Sequence, residues 1–212
     1  MATTEQFYAA PIGTYGNATL NWRKFAAEDV VSYAVSYRIA AHNLICIHSS
    51  REVGEIDHSA CPVIFLYRHS IELYLKAMLY RLARLSVDDA ELRQVLPRLW
   101  REHSLLKLLK MAQPVLEAMY DRLPFALRVF DEDELQFLTD LDRVDPGSYS
   151  FRYPVASMGG RSLPRILMTN IFVFADMADR TLDALNARCR FLIDELSALE
   201  PQLRLSLDGL SA

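Results

Sequence analysis

The chain is poor in glycine, cysteine and lysine, and each shortage removes a class of chemistry. Its seven glycines form no phosphate-cradling loop, and no Gly-x-Ser-x-Gly element occurs, which excludes P-loop and nucleophile-elbow chemistry. The three cysteines, Cys46, Cys61 and Cys189, are odd in number, far apart and set in apolar stretches. They make neither a disulfide framework nor a zinc site, and fit small buried side chains in a reducing cytosol. No strand-like alternation of useful length and no internal repeat appears. The first 22 residues lack a basic start followed by an apolar run, and charge interrupts the longer apolar stretches, so we expect a cytoplasmic chain with no membrane partner. A global basic excess is also missing: the net charge is −4, which argues against avid duplex binding. Of the 23 basic residues 19 are arginine, the side chain better suited to carboxylate and phosphate pairing.

What is present is apolar material at helical spacing. With 51% hydrophobic and 24% charged residues, 212 positions suffice for one sizeable core. The pattern predicts an all-α fold, a single bundle of about five helices over 23–200, preceded by an extended arm (1–22, with Phe7, Tyr8, Tyr15 and Trp22) and followed by a tail (201–212). The first helix is expected from Arg23 to Ser49, with Val30, Tyr33, Tyr37, Ala41, Leu44 and His48 on one face. Ser59 is the expected N-cap of the next helix. Ser86 and Asp89 suit a capping box before a short helix that Pro97 should disrupt, and Pro114 should kink a helix from Ser104 to Arg122. The acids Asp131 to Glu134 suit the first turn of a helix ending near Asp145. A last helix, Leu167 to Leu199, carries Ile171, Ala175, Ala178, Leu182, Leu185, Cys189, Leu192 and Leu196 at alternating steps of four and three. That seam can pack inside the domain or against a second copy. Between the last two helices lies one long structured loop, 145–164, and such loops are more often functional than connecting loops are.

Three features could carry chemistry. Arg68, His69, Glu72 and Lys76 fall within one helical arc about 100° wide on a helix that is otherwise apolar nearly all round. Such a stripe is either an ion-pair ladder or a site in which Arg68 and Lys76 bind an anion, Glu72 orients them and His69 exchanges protons. His103 sits just before a helix, where anions are favoured; it is a proton-transfer candidate or a simple surface cap. The run from Asp145 to Pro154 opens with Pro146-Gly147, suited to a type II turn, and continues with aromatics around Arg152 and Tyr153. It can grip a base or phosphate, or pin the loop to the core with Arg152 paired to Glu72 or Asp145. Metal chemistry finds no support. Glu55 and His58 form a single Glu-x-x-His in a polar stretch, and Asp176, Asp179 and Asp183 share a face without a histidine, so no cofactor is expected.

The segments Phe65-Leu66-Tyr67-Arg68-His69-Ser70-Ile71-Glu72-Leu73-Tyr74-Leu75-Lys76-Ala77 and His103-Ser104-Leu105-Leu106-Lys107-Leu108, with the Asp-Pro-Gly-Ser…Phe-Arg-Tyr-Pro loop, resemble bacterial helical proteins of the HEPN type. The resemblance implies a helical bundle, a homodimer, and binding of RNA or a nucleotide. It further implies a metal-independent endoribonuclease of a defence or toxin–antitoxin system, with a cognate antitoxin-like partner. Nuclease members share Arg-x4–6-His, which Arg98…His103 and Arg51…His58 both fit; the position after the arginine, usually polar in them, is Leu99 here. On that resemblance His103 acts on the 2′-hydroxyl or the leaving oxygen and Arg98 stabilises phosphate charge. The alternative is a non-catalytic helical interaction module, dimerising through the last helix, whose stripe is a structural ion-pair network.

Overall fold

A computed structural model describes residues 18, 29–49, 56–86, 89–118, 130–156, 158–163 and 168–194. The arm, the tail, positions 23–28, Arg51, Glu55, Arg122, Leu167 and Leu196 lie outside them. Six helices are described: α1 (Val30–Ser49), α2 (Ile56–Ser86), α3 (Asp89–Arg101), α4 (Leu105–Ala118), α5 (Glu132–Val144) and α6 (Ile171–Asp194). The fold is an all-α bundle built around α2, against which α1, α3, α4 and α6 all pack.

The 31 residues of α2 bury apolar side chains on several faces because neighbours surround it: Val63, Tyr67, Ile71, Leu75 and Leu82 are all fully buried. The helix begins at Ile56, so Ser59 lies in its first turn and does not cap it. The seam of α6 faces inward. Ile171, Ala175, Ala178, Leu182, Leu185, Cys189 and Leu192 are buried, and the Cys189 thiol reaches the carbonyl of Tyr74 on α2 at 3.4 Å. The heptad-like spacing therefore builds the core of one chain.

On α1 the buried positions are Ala34, Ala41 and His48, while Tyr33 is 52% exposed. The rest of the expected face points inward, with Ala41 and His48 buried and Val30 and Leu44 packed on the core; Ala34 extends it, and the Ser70 hydroxyl donates to the Ala34 carbonyl at 2.7 Å. This helix is also an exception to the interrupted-charge pattern. By length and composition it is apolar enough to cross a membrane, with Arg38 its single Arg, Lys, Asp or Glu. That arginine ties α1 to α6, at 2.7 Å from Asp179 and 2.6 Å from Asp183, and the Tyr67 hydroxyl donates to the same Asp179.

Pro97 does not disrupt α3, which continues to Arg101. Pro97 is exposed, whereas Leu99 is buried and Lys76 donates to the Trp100 carbonyl at 3.1 Å, so tertiary contacts hold the last turn. The helix α4 likewise runs past position 114 to Ala118. The acids opening α5 do what their position suggests. Asp131 is the N-cap, and its side chain and that of Glu134 satisfy each other's backbone amides. Glu134 also forms a two-point pair with Arg188 of α6, at 3.1 and 3.0 Å, and that guanidinium lies over Phe130.

Candidate functional site

Arg68, Glu72 and Lys76 are 0%, 1% and 4% exposed, so the stripe does not face water. Burial is tolerable only because every charge meets an opposite charge or a carbonyl. Arg68 donates to Glu72 Oε2 at 2.9 Å, to the His103 carbonyl at 2.7 Å and twice to the Asp145 carbonyl, at 3.1 and 2.8 Å. Its Nε also lies 3.4 Å from the Asp145 carboxylate. Lys76 donates to Glu72 Oε1 at 2.8 Å and to the Trp100 carbonyl. Both cations thus hold main-chain carbonyls at the C-terminal ends of α3 and α5, where the helices themselves leave acceptors unfilled. Binding an external anion would require those bonds to break.

Glu72 is the hub. Burial alone would raise its pKa, but the hydrogen bond and charge of Lys76, the charge of Arg68 and the bond from His103 hold the carboxyl below the ordinary glutamate range. Its Oε1 lies 2.9 Å from Nδ1 of His103, whose side chain is 48% exposed. A carboxylate only accepts, so the proton of the neutral ring sits on Nδ1 and the Nε2 lone pair is left over. Nε2 makes no hydrogen bond among the described residues.

The His103 backbone is fixed on both sides. Glu102 accepts from the amides of His103 and Ser104, at 3.0 and 2.9 Å. Asp142 of α5 accepts from the Leu105 amide at 2.6 Å and from the Ser104 hydroxyl at 2.9 Å, while the Ser104 oxygen accepts the amide of Lys107. A buried carboxylate from α5 therefore caps the N-terminus of α4 and positions the residue before it. Asp142 had no sequence signal: it reads as one more acid on an amphipathic helix.

His69 occupies a different environment one turn before Glu72. Tyr37 meets it edge-on at 4.5 Å and Phe65 stacks on it at 5.6 Å. Burial, helped by the charges of Lys76, Arg152 and Arg68 against that of Glu72, holds its pKa below the usual histidine range. Arg152 pairs with neither Glu72 nor Asp145, because Arg68 occupies both. Its guanidinium lies over Phe65 at 5.6 Å and over Tyr153 at 5.8 Å.

The loop itself is ordered by Asp145. Its Oδ1 accepts the amides of Tyr149 and Ser150, at 2.7 and 2.8 Å. The left-handed residue is Ser148, φ 55°, and not Gly147, so the turn at Pro146-Gly147 is not type II. Buried Phe151 anchors the loop. A small hairpin, with Val155 bridged to Arg161 and Gly159 at φ 85°, brings the chain back so that Arg161 lies across a cavity of about 540 Å³ from His58 in the first turn of α2. The sequence singled out Arg152 but not Arg161; the adjacent Gly159-Gly160 pair was the available signal that the chain reverses there.

The structure thus brings together Arg68, Glu72, Lys76, His103 and Asp145 by direct contact, and places His69, Phe65, Arg152 and Tyr153 in a separate aromatic and cation–π cluster. Arg98 is exposed in the last turn of α3, and its carbonyl accepts the Glu102 amide at 3.1 Å. Among the described residues no group of three or more His, Cys, Asp or Glu could hold a metal ion. Comparison of the chain with family models, curated proteins and solved structures found no significant match.

Proposed function

We propose that this chain is a HEPN-type helical protein that binds RNA or a nucleotide where the loop residue Arg152 lies over the α2 face bearing Phe65 and His69, and that His103 is the proton-transfer group of a metal-independent endoribonuclease. The observation that carries this is the half-exposed imidazole held at 2.9 Å by a buried carboxylate that two buried cations fix in place. Such a pair sets the tautomer and stabilises the imidazolium that forms when Nε2 takes a proton. His103 accepts the 2′-hydroxyl proton, the 2′-oxygen attacks the adjacent phosphorus, the P–O5′ bond breaks, and the 5′-oxygen takes a proton from water while the imidazolium returns its own to solvent. The products are a 2′,3′-cyclic phosphate and a 5′-hydroxyl. Arg98, exposed on the preceding helical turn, is the candidate for the phosphate charge. A homodimer and a cognate antitoxin-like protein belong to the same proposal.

Purified protein incubated with mixed RNA in EDTA tests it. His103→Ala is expected to lower cleavage by about 10²–10⁴-fold, the usual range for a lost acid–base group, with the fold retained. Arg98→Ala should lower cleavage as well. A second reading, a non-catalytic interaction module, is favoured by one observation: both stripe cations are engaged by the chain's own carbonyls. No cleavage by the wild type, together with a large loss of stability in Arg68→Ala, would select it.

A further inference from the structure

We propose that the cavity between the first turn of α2 and the 150–163 loop is a nucleoside-phosphate site, with the phosphate held by Arg152 and Arg161 and the base stacked on Tyr153. The inference rests on the RNA-or-nucleotide reading but uses a different part of the molecule from the His103–Glu72 pair.

The cavity, at about 540 Å³, is in the range of sites that hold a molecule of nucleotide size. Arg152, Arg161 and His58 line it, and Asp57 is the acid among the described residues that do so, leaving the lining with an excess of positive charge. The two arginines differ from those that tie the helices and loops of the bundle together. Arg68, Arg38 and Arg188 each donate to carboxylates or carbonyls of the chain. Arg152 has its guanidinium plane against Phe65 and Tyr153, which orients the group without using its N–H donors, and Arg161 is exposed. Neither makes a side-chain hydrogen bond among the described residues. A phosphomonoester, with two negative charges and three terminal oxygens, is the ligand that two unengaged guanidinium groups match. Tyr153, 49% exposed and stacked with Tyr149 at 4.7 Å, offers an aromatic face beside them, which suits a base and gives a bare phosphate nothing to use. The source of the phosphomonoester is either a free nucleotide or the 5′ end of an RNA.

Calorimetry on the full chain tests the site with three sets of probes: ribonucleoside 5′-monophosphates, the matching nucleosides with inorganic phosphate, and a short oligoribonucleotide with or without a 5′-phosphate. Monophosphates should bind at least tenfold more tightly than nucleosides or inorganic phosphate. A preference of the oligonucleotide for its 5′-phosphorylated form assigns the site to RNA ends; indifference to that phosphate assigns it to free nucleotides. Arg161→Ala and Arg161→Glu should weaken monophosphate binding at least tenfold and more than tenfold respectively, while His103→Ala leaves it unchanged. The half-buried thiol of Cys61, which also lines the cavity, should be protected from alkylation by the monophosphate while exposed Cys46 is not. Equal binding of nucleosides and monophosphates, or unchanged binding in Arg161→Glu with Cys61 unprotected, would overturn the site. Absence of RNA cleavage by the wild-type protein, with this binding intact, would instead overturn the catalytic proposal alone.

Discussion

The middle of α2 and its first turn meet cations in opposite circumstances. At Arg68 and Lys76 the charges are buried and fully engaged by Glu72 and by three main-chain carbonyls. Beside its first turn, Arg152 and Arg161 border an open cavity with their donors unengaged. The difference teaches that a charged stripe on an apolar helix can mark where loops and helix ends dock, whereas the same residue type beside an open cavity keeps its donors for the ligand proposed above. At the edge of the buried network is His103, tied to Glu72 by one ring nitrogen and half-exposed.

The largest effect should come from breaking the buried side. Arg68→Ala leaves the buried Asp145 carboxylate without its cation, takes one of Glu72's two cations and removes donors from two carbonyls, so unfolding free energy should fall by about 3–5 kcal/mol in a denaturant titration. Asp142→Ala removes the cap of α4 and should cost about 1–2 kcal/mol by the same measurement. It should also slow RNA cleavage, because it frees the segment that aims His103.

Acid should separate His69 and Glu72 in order. His69 is held below its ordinary 6.5, so the unfolded chain takes up a proton before the folded one does. Stability is therefore unaffected above 6.5 and falls as pH drops below it. Glu72 is held below its ordinary 4.5, and its contribution, present above that value, is lost on further acidification. Thermal melting against pH should show a first decline that disappears in His69→Gln and a second that does not. The smallest effect on stability belongs to the open side. Arg161→Ala should change unfolding free energy by less than about 0.5 kcal/mol, as exposed substitutions generally do, while abolishing the expected preference for monophosphates.

Much of the fold was legible because it depends on local spacing. The seam from Ile171 to Leu192, the capping box at Asp131 and the helix end at Asp145 all follow from patterns within a few residues. The stripe's position was equally plain, but its burial was not. Whether Arg68 faces water depends on where the ends of α3 and α5 dock, which periodicity within α2 does not encode. The same holds for the turn after Pro97, where Lys76 of another helix holds the Trp100 carbonyl, and for Ser148 at positive φ, next to a carboxylate that captures two later amides. Arg152 was expected to pair with Glu72 or Asp145. A competing arginine on α2, already placed by the helix, occupies both.

One measurement bears most directly on the central claim that the buried carboxylate holds His103 for proton transfer to RNA. Wild-type protein and His103→Gln, each shown to be folded by circular dichroism, are incubated in EDTA with a single end-labelled RNA, and the new 3′ ends are identified. The expected result is cleavage to 2′,3′-cyclic phosphate ends by the wild type and its near-complete loss in the variant. Cleavage at equal rates by both proteins, or none by the wild type, would contradict it.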